Sequence, residues 1–277
     1  MLIRVFKLIK RATQPVYSTI DRISHVNQTL YILGNGPSLS CSINAIKNKI
    51  VENDCMAVNN FCNTELFSEI KPCYYVIADP SNLGQLHNLS DALAMETKKI
   101  AENLNKISWN INLIVPDFAE KGYLINCLKT NPLIKIYYYN TKNRAKYADL
   151  FKNWARNYIA PPAQTVLNTC VYLGIFLHYN EINILGMDMS WHEDLELDQK
   201  TNRLFIIDKH FYGTKKRFAT LDVNGIKPAH VHEYLQCSVN ALKSFWDLKV
   251  FAEYQNVKVY NLSPHSWVDA FDRKIKN

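Results

Sequence analysis

Leu30-Tyr-Ile-Leu-Gly-Asn-Gly-Pro-Ser-Leu39 runs an apolar strand directly into a tight Gly-Asn-Gly-Pro-Ser turn. An apolar run ended by glycine and followed by Pro-Ser reads as the first strand of an α/β sheet and the opening of the helix behind it. Gly34 and Gly36 carry no Cβ, so the backbone there can approach a ligand closely. Pro37 and Ser38 suit the first positions of a helix, where unpaired N–H groups and the helix dipole favour an anion. Asn35 sits at the apex with a short amide for a sugar, a base or a phosphate. The same residues also make an ordinary strand-to-helix turn, and a lone Gly-x-Gly-Pro does not decide between the two readings.

Working outward, apolar runs rich in β-formers recur at Cys55–Val58, Tyr74–Ala78, Ile111–Val115, Ile134–Tyr138, Ile182–Gly186 and Val257–Leu262. Between them lie segments with helical spacing, notably Ser81–Leu104, Gln164–His178 and Glu233–Tyr254. Strands alternating with helices predict a single α/β domain with a doubly wound, mainly parallel sheet. In such a sheet the ligand lies beyond the carboxyl ends of the strands. That rule gathers Asn59 and Asn60, Asp79, and the Gly186-Met-Asp188-Met-Ser190-Trp191 stretch at neighbouring strand ends. One such residue alone caps a helix; three strands in succession ending in Asn or Asp point to a shared crevice. Val239, Leu242, Phe245, Trp246 and Val250 are spaced as the core face of the last long helix.

The chain has 277 residues, 48% of them hydrophobic, which is ample for a packed core and excludes a disordered chain. Seven scattered cysteines without a Cys-x-x-Cys pair read as reduced residues of a cytoplasmic protein, not as a disulfide framework or zinc site. The net charge is +7, yet basic residues beyond the N-terminus are interleaved with acids, which argues against nucleic-acid binding. Residues 1–28 are basic, and Met1–Lys10 alternates apolar and basic residues as an amphipathic helix would. It is too short in apolar length to span a bilayer and lacks a signal-peptide core. A solvated terminus and a peripheral anchor through residues 1–24 on the inner face of the cytoplasmic membrane are both open. The main domain is expected over residues 29–271, with a basic tail at 272–277.

Residues from about 190 to 232 form a long stretch without sustained periodicity, rich in charge, aromatics and histidine. A segment of that kind inside a compact domain reads as a lid. It holds Asp208-Lys-His210-Phe-Tyr212-Gly213 and, just before the last helix, Pro228-Ala-His230-Val-His232-Glu233. Asp194-Leu-Glu-Leu-Asp198 has an acidic spacing that could hold a divalent ion, but it lies away from any clear strand end and reads as a solvated charged turn. His230 and His232 are two ligands without a third, so no metal site is expected.

Taken together, Tyr31–Leu39, Val58-Asn-Asn-Phe61, Asp79-Pro-Ser81, the unit from Thr165 to Asp188, and Val257–Pro264 resemble the bacterial sialyltransferases of glycosyltransferase family 42 and related surface-polysaccharide glycosyltransferases. Asp208–Tyr212 and Ser266–Phe271 look like a less characterised branch of that set. The resemblance implies a Rossmann-like domain of the glycosyltransferase A variant with a lid, binding a CMP-linked nonulosonic sugar without a metal or other cofactor. It implies that Gly34, Asn35, Gly36, Pro37, Ser38, Asn59, Asn60, Asp79, Thr165, Gly186 and Asp188 form the donor site. Asp79 departs from the family's asparagine; a carboxylate suits a sugar hydroxyl, a ribose or a cytosine amine better than a phosphate. The family's lid tyrosines have no clear counterpart, and Ser190, Trp191, Tyr212 and Glu233 stand as lid residues toward phosphate or acceptor.

Inverting transfer needs a base for the acceptor hydroxyl and groups that stabilise the leaving phosphate. His232 occupies the family's position for the base, and His210 is its rival within the same lid. The expected function is therefore sugar transfer from CMP to a glycan or lipid-linked glycan acceptor in bacterial capsule or lipopolysaccharide assembly, by a protein that could also be a homo-oligomer. Two other readings stay open. One is a metal- and ATP-dependent diphosphokinase similar to the archaeal pterin enzymes, which share a Gly-x-Gly-Pro-Ser turn. The other is a non-catalytic nucleotide- or glycan-binding subunit.

Overall fold

The computed structural model describes residues 19–142, 144–221 and 227–274. The amphipathic reading of Met1–Lys10 lies outside them. Seven strands form one sheet: β1 (Thr29–Leu33), β2 (Asp54–Val58), β3 (Tyr74–Val76), β4 (Ile111–Pro116), β5 (Ile134–Tyr139), β6 (Glu181–Leu185) and, closing the chain, Lys258–Asn261. The last is β10, because three lid strands precede it. The order is β10-β6-β1-β2-β3-β4-β5 and every pairing is parallel. The chain therefore winds outward from β1 to β5 and then returns to lay β6 on the other side of β1. The break in direction between β1 and β6 is where an open α/β sheet parts to form a crevice.

Both faces of the sheet are covered, which explains why the strands read as continuous apolar runs. Leu30, Ile32, Met56 and Val58 face one layer, made by helices α6 (Val166–Phe176) and α7 (Val231–Tyr254). Tyr31, Leu33, Cys55 and Ala57 face the other, made by α1 (Leu39–Val51), α2 (Glu65–Ile70), α3 (Asp91–Asn105) and α4 (Tyr123–Leu128). A short helix, α5 (Leu150–Trp154), follows β5 and packs its Phe151 and Trp154 rings on Phe251 of α7. Residues 19–28 join the sheet edge, where Thr19 and Tyr138 exchange hydrogen bonds and Ile20 is fully buried.

All seven expected strands form, while helix limits shift for local reasons. The spacing over Ser81–Leu104 becomes two 3-10 turns, Pro80–Asn82 and Leu86–Asn88, before α3 starts at its Ser90 cap. Thr165 stops α6 from beginning earlier, because its hydroxyl takes the amides of Leu167 and Asn168. The expected core face of α7 is corrected by the structure. Phe245 is buried, but Val239, Trp246 and Val250 are 55%, 46% and 48% exposed. The face that packs is Ser238, Ala241, Phe245, Leu248, Phe251 and Ala252. An apolar stripe one step around the helix satisfied the same spacing.

The lid is not irregular. Strands β7 (Leu195–Leu197), β8 (Leu204–His210) and β9 (Gly213–Phe218) make a small antiparallel sheet on its own core of Leu204, Ile206, Ala219 and Ala229. Every residue of β9 is exposed, so Gly-Thr-Lys-Lys-Arg-Phe carried no alternation for a sequence reading to find. All seven cysteines are unpaired.

Candidate functional site

The crevice opens at the carboxyl ends of β1, β2, β3 and β6, and it encloses about 390 Å³. Its floor is a knot between the two loops that diverge at the sheet break. Gly34 N–H donates to Leu185 O at 2.8 Å and Gly36 N–H to Gly186 O at 2.9 Å. A Cβ on Gly36 would lie 1.9 Å from Asp188 Oδ2 and 2.6 Å from Gly186 O, so only glycine fits there. Gly186 adopts φ +66°, and a Cβ on it would press within 2.6 Å of Gly34 O.

Asp188 closes this knot. Ser38 donates its amide to Oδ1 at 3.1 Å and its hydroxyl to Oδ2 at 2.8 Å, and both residues are buried. Burial pushes the Asp188 carboxyl above its ordinary range, and the Ser38 bonds and the nearby His265 only partly offset this. From the far side the closing segment holds the same loop. Met187 N–H donates to Ser263 Oγ at 2.8 Å, and Trp267 N–H donates to Asp188 O at 2.9 Å. Ser38 and Asp188 thus act first as a brace that sets the Gly-Asn-Gly turn.

Above the floor, Asn35, Asn59, Asp79, Thr165, Gln164, Ser190, Trp191, Lys209 and His210 line the crevice. Asn35 spans two strands, its Nδ2 donating to Val58 O at 3.3 Å, and Asn59 sits at φ +45° just past β2. The Oδ1 atoms of both asparagines are buried without a hydrogen-bond partner among the described residues. An unpaired buried acceptor costs roughly 1–3 kcal/mol, which a ligand donor would recover. Asp79 Oδ1 takes the amide and hydroxyl of Ser81 at 2.9 and 2.7 Å, capping the turn behind it. Thr165 caps α6 at the crevice wall, and its own N–H donates to Asn168 Oδ1 at 3.1 Å.

The tip of the lid meets this floor at Asn35. Phe211 N–H donates to Asn35 O at 3.1 Å, and His210 Nδ1 lies 3.3 Å from the same carbonyl. A carbonyl only accepts, so this partner selects the Nδ1–H tautomer and leaves Nε2 with its lone pair. The ring of Phe211 lies 5.5 Å from Phe61, and Tyr212 stacks on His210 at 5.0 Å. Lys209 is held by Asp194, and Arg217 by Asp208. Partial desolvation disfavours the Arg217 cation, but the bond and charge of Asp208 together with Tyr234 and Asp79 outweigh it, and the guanidinium, 44% exposed, stays charged.

The candidate residues therefore divide by place. Asn35, Gly36, Pro37, Asn59, Asp79, Thr165, Gly186, Asp188, Ser190, Trp191 and His210 converge on one crevice. Gly34 and Ser38 lie beneath it, and Asn60 turns aside to donate to Glu96. Tyr212 stands behind His210 rather than in the crevice lining. His232 and Glu233 are in the first turn of α7, outside that lining; His232 is exposed and stacks on His230 at 6.0 Å, and Glu233 accepts from His230 N–H at 3.0 Å. Lys209 and Gln164 line the crevice without having been singled out from the sequence, although Lys209 stands inside the Asp208-Lys-His210 motif that was. Asp194, Glu196 and Asp198 are engaged within the lid by Lys209, Lys216 and the amides of Lys200 and Thr201. Among the described residues no group of three or more His, Cys, Asp or Glu is gathered to hold a metal ion, and no helix is long and apolar enough to cross a membrane.

Comparison with known proteins returns two findings. The MAf glycosyltransferase from Magnetospirillum magneticum AMB-1 superposes with a TM-score of 0.50 at 12% identity, covering 94% of this chain and 35% of that one. The likeness is one of fold, and this chain spans about a third of that protein's length. A search of curated proteins returns no match. Neither relative is named for glycosyltransferase family 42 or for a CMP-linked sugar. The family model described as 6-hydroxymethylpterin diphosphokinase MptE-like matches residues 4–194, which takes in the Gly-Asn-Gly-Pro-Ser turn, the sheet through β6 and Asp188, and the chain belongs to that MptE-like family.

Proposed function

We propose that this chain is a metal-independent, inverting glycosyltransferase that moves a nonulosonic sugar from a CMP-linked donor to a surface-glycan acceptor. The observation that carries the reading is the His210 contact: a lid histidine in the crevice, its Nδ1 fixed on Asn35 O and its Nε2 without a partner among the described residues. Asn35 and Asn59 then hold the nucleotide, with Thr165 at the wall. Nε2 of His210 takes the proton of the acceptor hydroxyl as that oxygen bonds to the anomeric carbon. The bond from that carbon to the CMP phosphate oxygen breaks, and Lys209 meets the charge that develops on the departing phosphate. Asp194 steadies Lys209 in that role. The fold likeness to a glycosyltransferase supports the class of reaction.

The family description favours a second reading, diphosphate transfer from ATP with a divalent metal. Its weakness lies in the crevice carboxylates. Asp188 is desolvated and given over to Ser38, and Asp79 caps its own turn.

Melting curves with CMP, CDP, UDP, GDP and ATP, each with and without magnesium, separate the two readings. Ligand at a hundredfold above Kd stabilises the folded state by about 2.7 kcal/mol, well within reach of the measurement. Stabilisation by CMP that is indifferent to chelator is expected. Stabilisation by ATP only with magnesium overturns the transferase reading in favour of the kinase. With an active CMP-sugar, His210→Ala should lower turnover by about 10²–10⁴-fold, and His232→Ala should leave it within a few-fold. The reverse pattern moves the base to His232. Binding of CMP without turnover on any CMP-sugar favours a non-catalytic subunit.

A further inference from the structure

Away from the crevice, the loop after β5 and the end of α7 build a second surface. Between residues 142 and 156 the chain carries five cations and one carboxylate, Asp149. That carboxylate is spent on the cap of α5, taking the amides of Phe151 and Lys152 at 2.9 and 3.2 Å. Tyr147, Lys152, Arg156 and Tyr254 line a cavity of about 450 Å³ that shares no lining residue with the crevice. Arg156 lies over the Tyr147 ring at 5.7 Å, Tyr147 stacks on Tyr158 at 6.0 Å, and Lys146 lies over Tyr158 at 4.3 Å. Among the described residues neither Lys152 nor Arg156 has a carboxylate partner.

Beside these cations stands the apolar stripe of α7 that its core does not use. Tyr254, Val250 and Trp246 are successive positions at i, i−4 and i−8, and they are 46%, 48% and 46% exposed. Leu150 on α5 is 52% exposed and Tyr147 40%, and α5 meets the stripe where Phe151 touches the Tyr254 ring at 5.5 Å. Two nearby acids are engaged, Glu253 pairing with Lys249 at 3.2 Å and Asp269 accepting from Trp246 Nε1 at 3.1 Å, while Asp247 on the same helix is exposed, so the cations outnumber the one acid left open. Exposed Trp, Tyr, Val and Leu beside unpaired Lys and Arg is the composition that settles at the headgroup level of a bilayer.

We propose that this surface, Lys146–Arg156 with Trp246, Val250 and Tyr254, docks on an anionic membrane surface. Charge complementarity selects that occupant over a second copy of the chain. A two-fold contact would bring this cationic rim toward its own image, whereas anionic headgroups neutralise it while the stripe enters the interface. The proposal is independent of the transfer reading.

Co-sedimentation of the full chain with phosphatidylcholine vesicles, with and without a minority of phosphatidylglycerol, tests it. Binding to the anionic vesicles alone, weakened by salt, is expected. A Lys152→Glu, Arg156→Glu double variant should bind about 25-fold less tightly or worse, at about fivefold per cation lost. Val250→Asp should weaken binding without moving the melting temperature or the nucleotide response, because its side chain is at the surface. Unchanged binding in both variants, equal binding to neutral vesicles, or no binding overturns the proposal. So does competition by soluble glycerol phosphate at matched phosphate, or a dimer by light scattering that Val250→Asp dissociates.

Discussion

At the scale of single residues, the crevice rests on positions where an atom more is too many. Gly36 is the sharpest case, since a methyl group there would overlap Asp188 Oδ2 at 1.9 Å and Gly186 O at 2.6 Å. Neither neighbour can retreat. Asp188 is held by Ser38 and by Trp267 N–H, and Gly186 O already accepts from the Gly36 amide. Gly36→Ala should therefore cost about 2–4 kcal/mol in urea unfolding and abolish nucleotide stabilisation. Gly84→Ala is the matched control, because its Cβ would meet only Pro80 O at 3.9 Å, an ordinary contact. Equal losses in the two variants would mean the knot is not what makes Gly36 special. The glycines were legible in the sequence as residues of a tight turn. That their true neighbour is Asp188, some 150 residues on, was not, because spacing along a chain says nothing of which loops a sheet break brings face to face.

At the scale of elements, the lid is a small sheet pinned at its tip. The β8–β9 turn meets the crevice floor through Phe211, whose amide bonds Asn35 O and whose ring packs on Phe61. The lid's own core lies further back, at Leu204, Ile206, Ala219 and Ala229. Segments held by few buried contacts open at low cost. Phe211→Ala should then shift the lid toward its open form by roughly 1–2 kcal/mol, less than a full core truncation because Phe211 is only half-buried. Trypsin reads this directly at Lys215, Lys216 and Arg217, and cleavage should speed up by about tenfold. An unchanged cleavage rate would show that the ring does not hold the tip. CMP should protect native chain and variant alike if it bridges floor and lid. Elements of this kind were the least legible part of the sequence. The main strands are apolar on both faces and announce themselves, whereas β9 has no buried face, and its pairing is decided by backbone bonds to β8. The stripe on α7 misled for a related reason: helical spacing identifies an apolar face, but not whether the protein or something outside it covers that face.

At the scale of the whole molecule, one topological event organises the site. Laying β6 beside β1 puts the Gly34-Asn-Gly36 loop and the Gly186-Met-Asp188 loop at one break in the sheet, and the closing strand β10 then locks β6 from its open side. The doubly wound order could be expected from strands alternating with helices, yet the position of the break follows from which strand returns, and that is a tertiary fact. The lock itself has a pH signature. Glu181, at the start of β6, receives Lys274 from the segment after β10 and Asn183 Nδ2 at 2.7 Å. Burial raises its carboxyl, but the bonds and charge of Lys274 with the Asn183 bond outweigh that and leave it below its ordinary value of 4.5. A carboxylate lowered in the folded state contributes stability above its unfolded value and loses it as pH falls through the folded one. Lys274 is 47% exposed, so the contribution is discounted for solvent to about 1 kcal/mol or less. Glu181→Gln should accordingly melt a few degrees lower than the native chain at neutral pH. The two melting temperatures should converge as pH falls below about 4, and high salt should narrow the gap at neutral pH. A gap that persists at low pH would assign the loss to packing of the β6–β10 edge instead of to the charge that closes it.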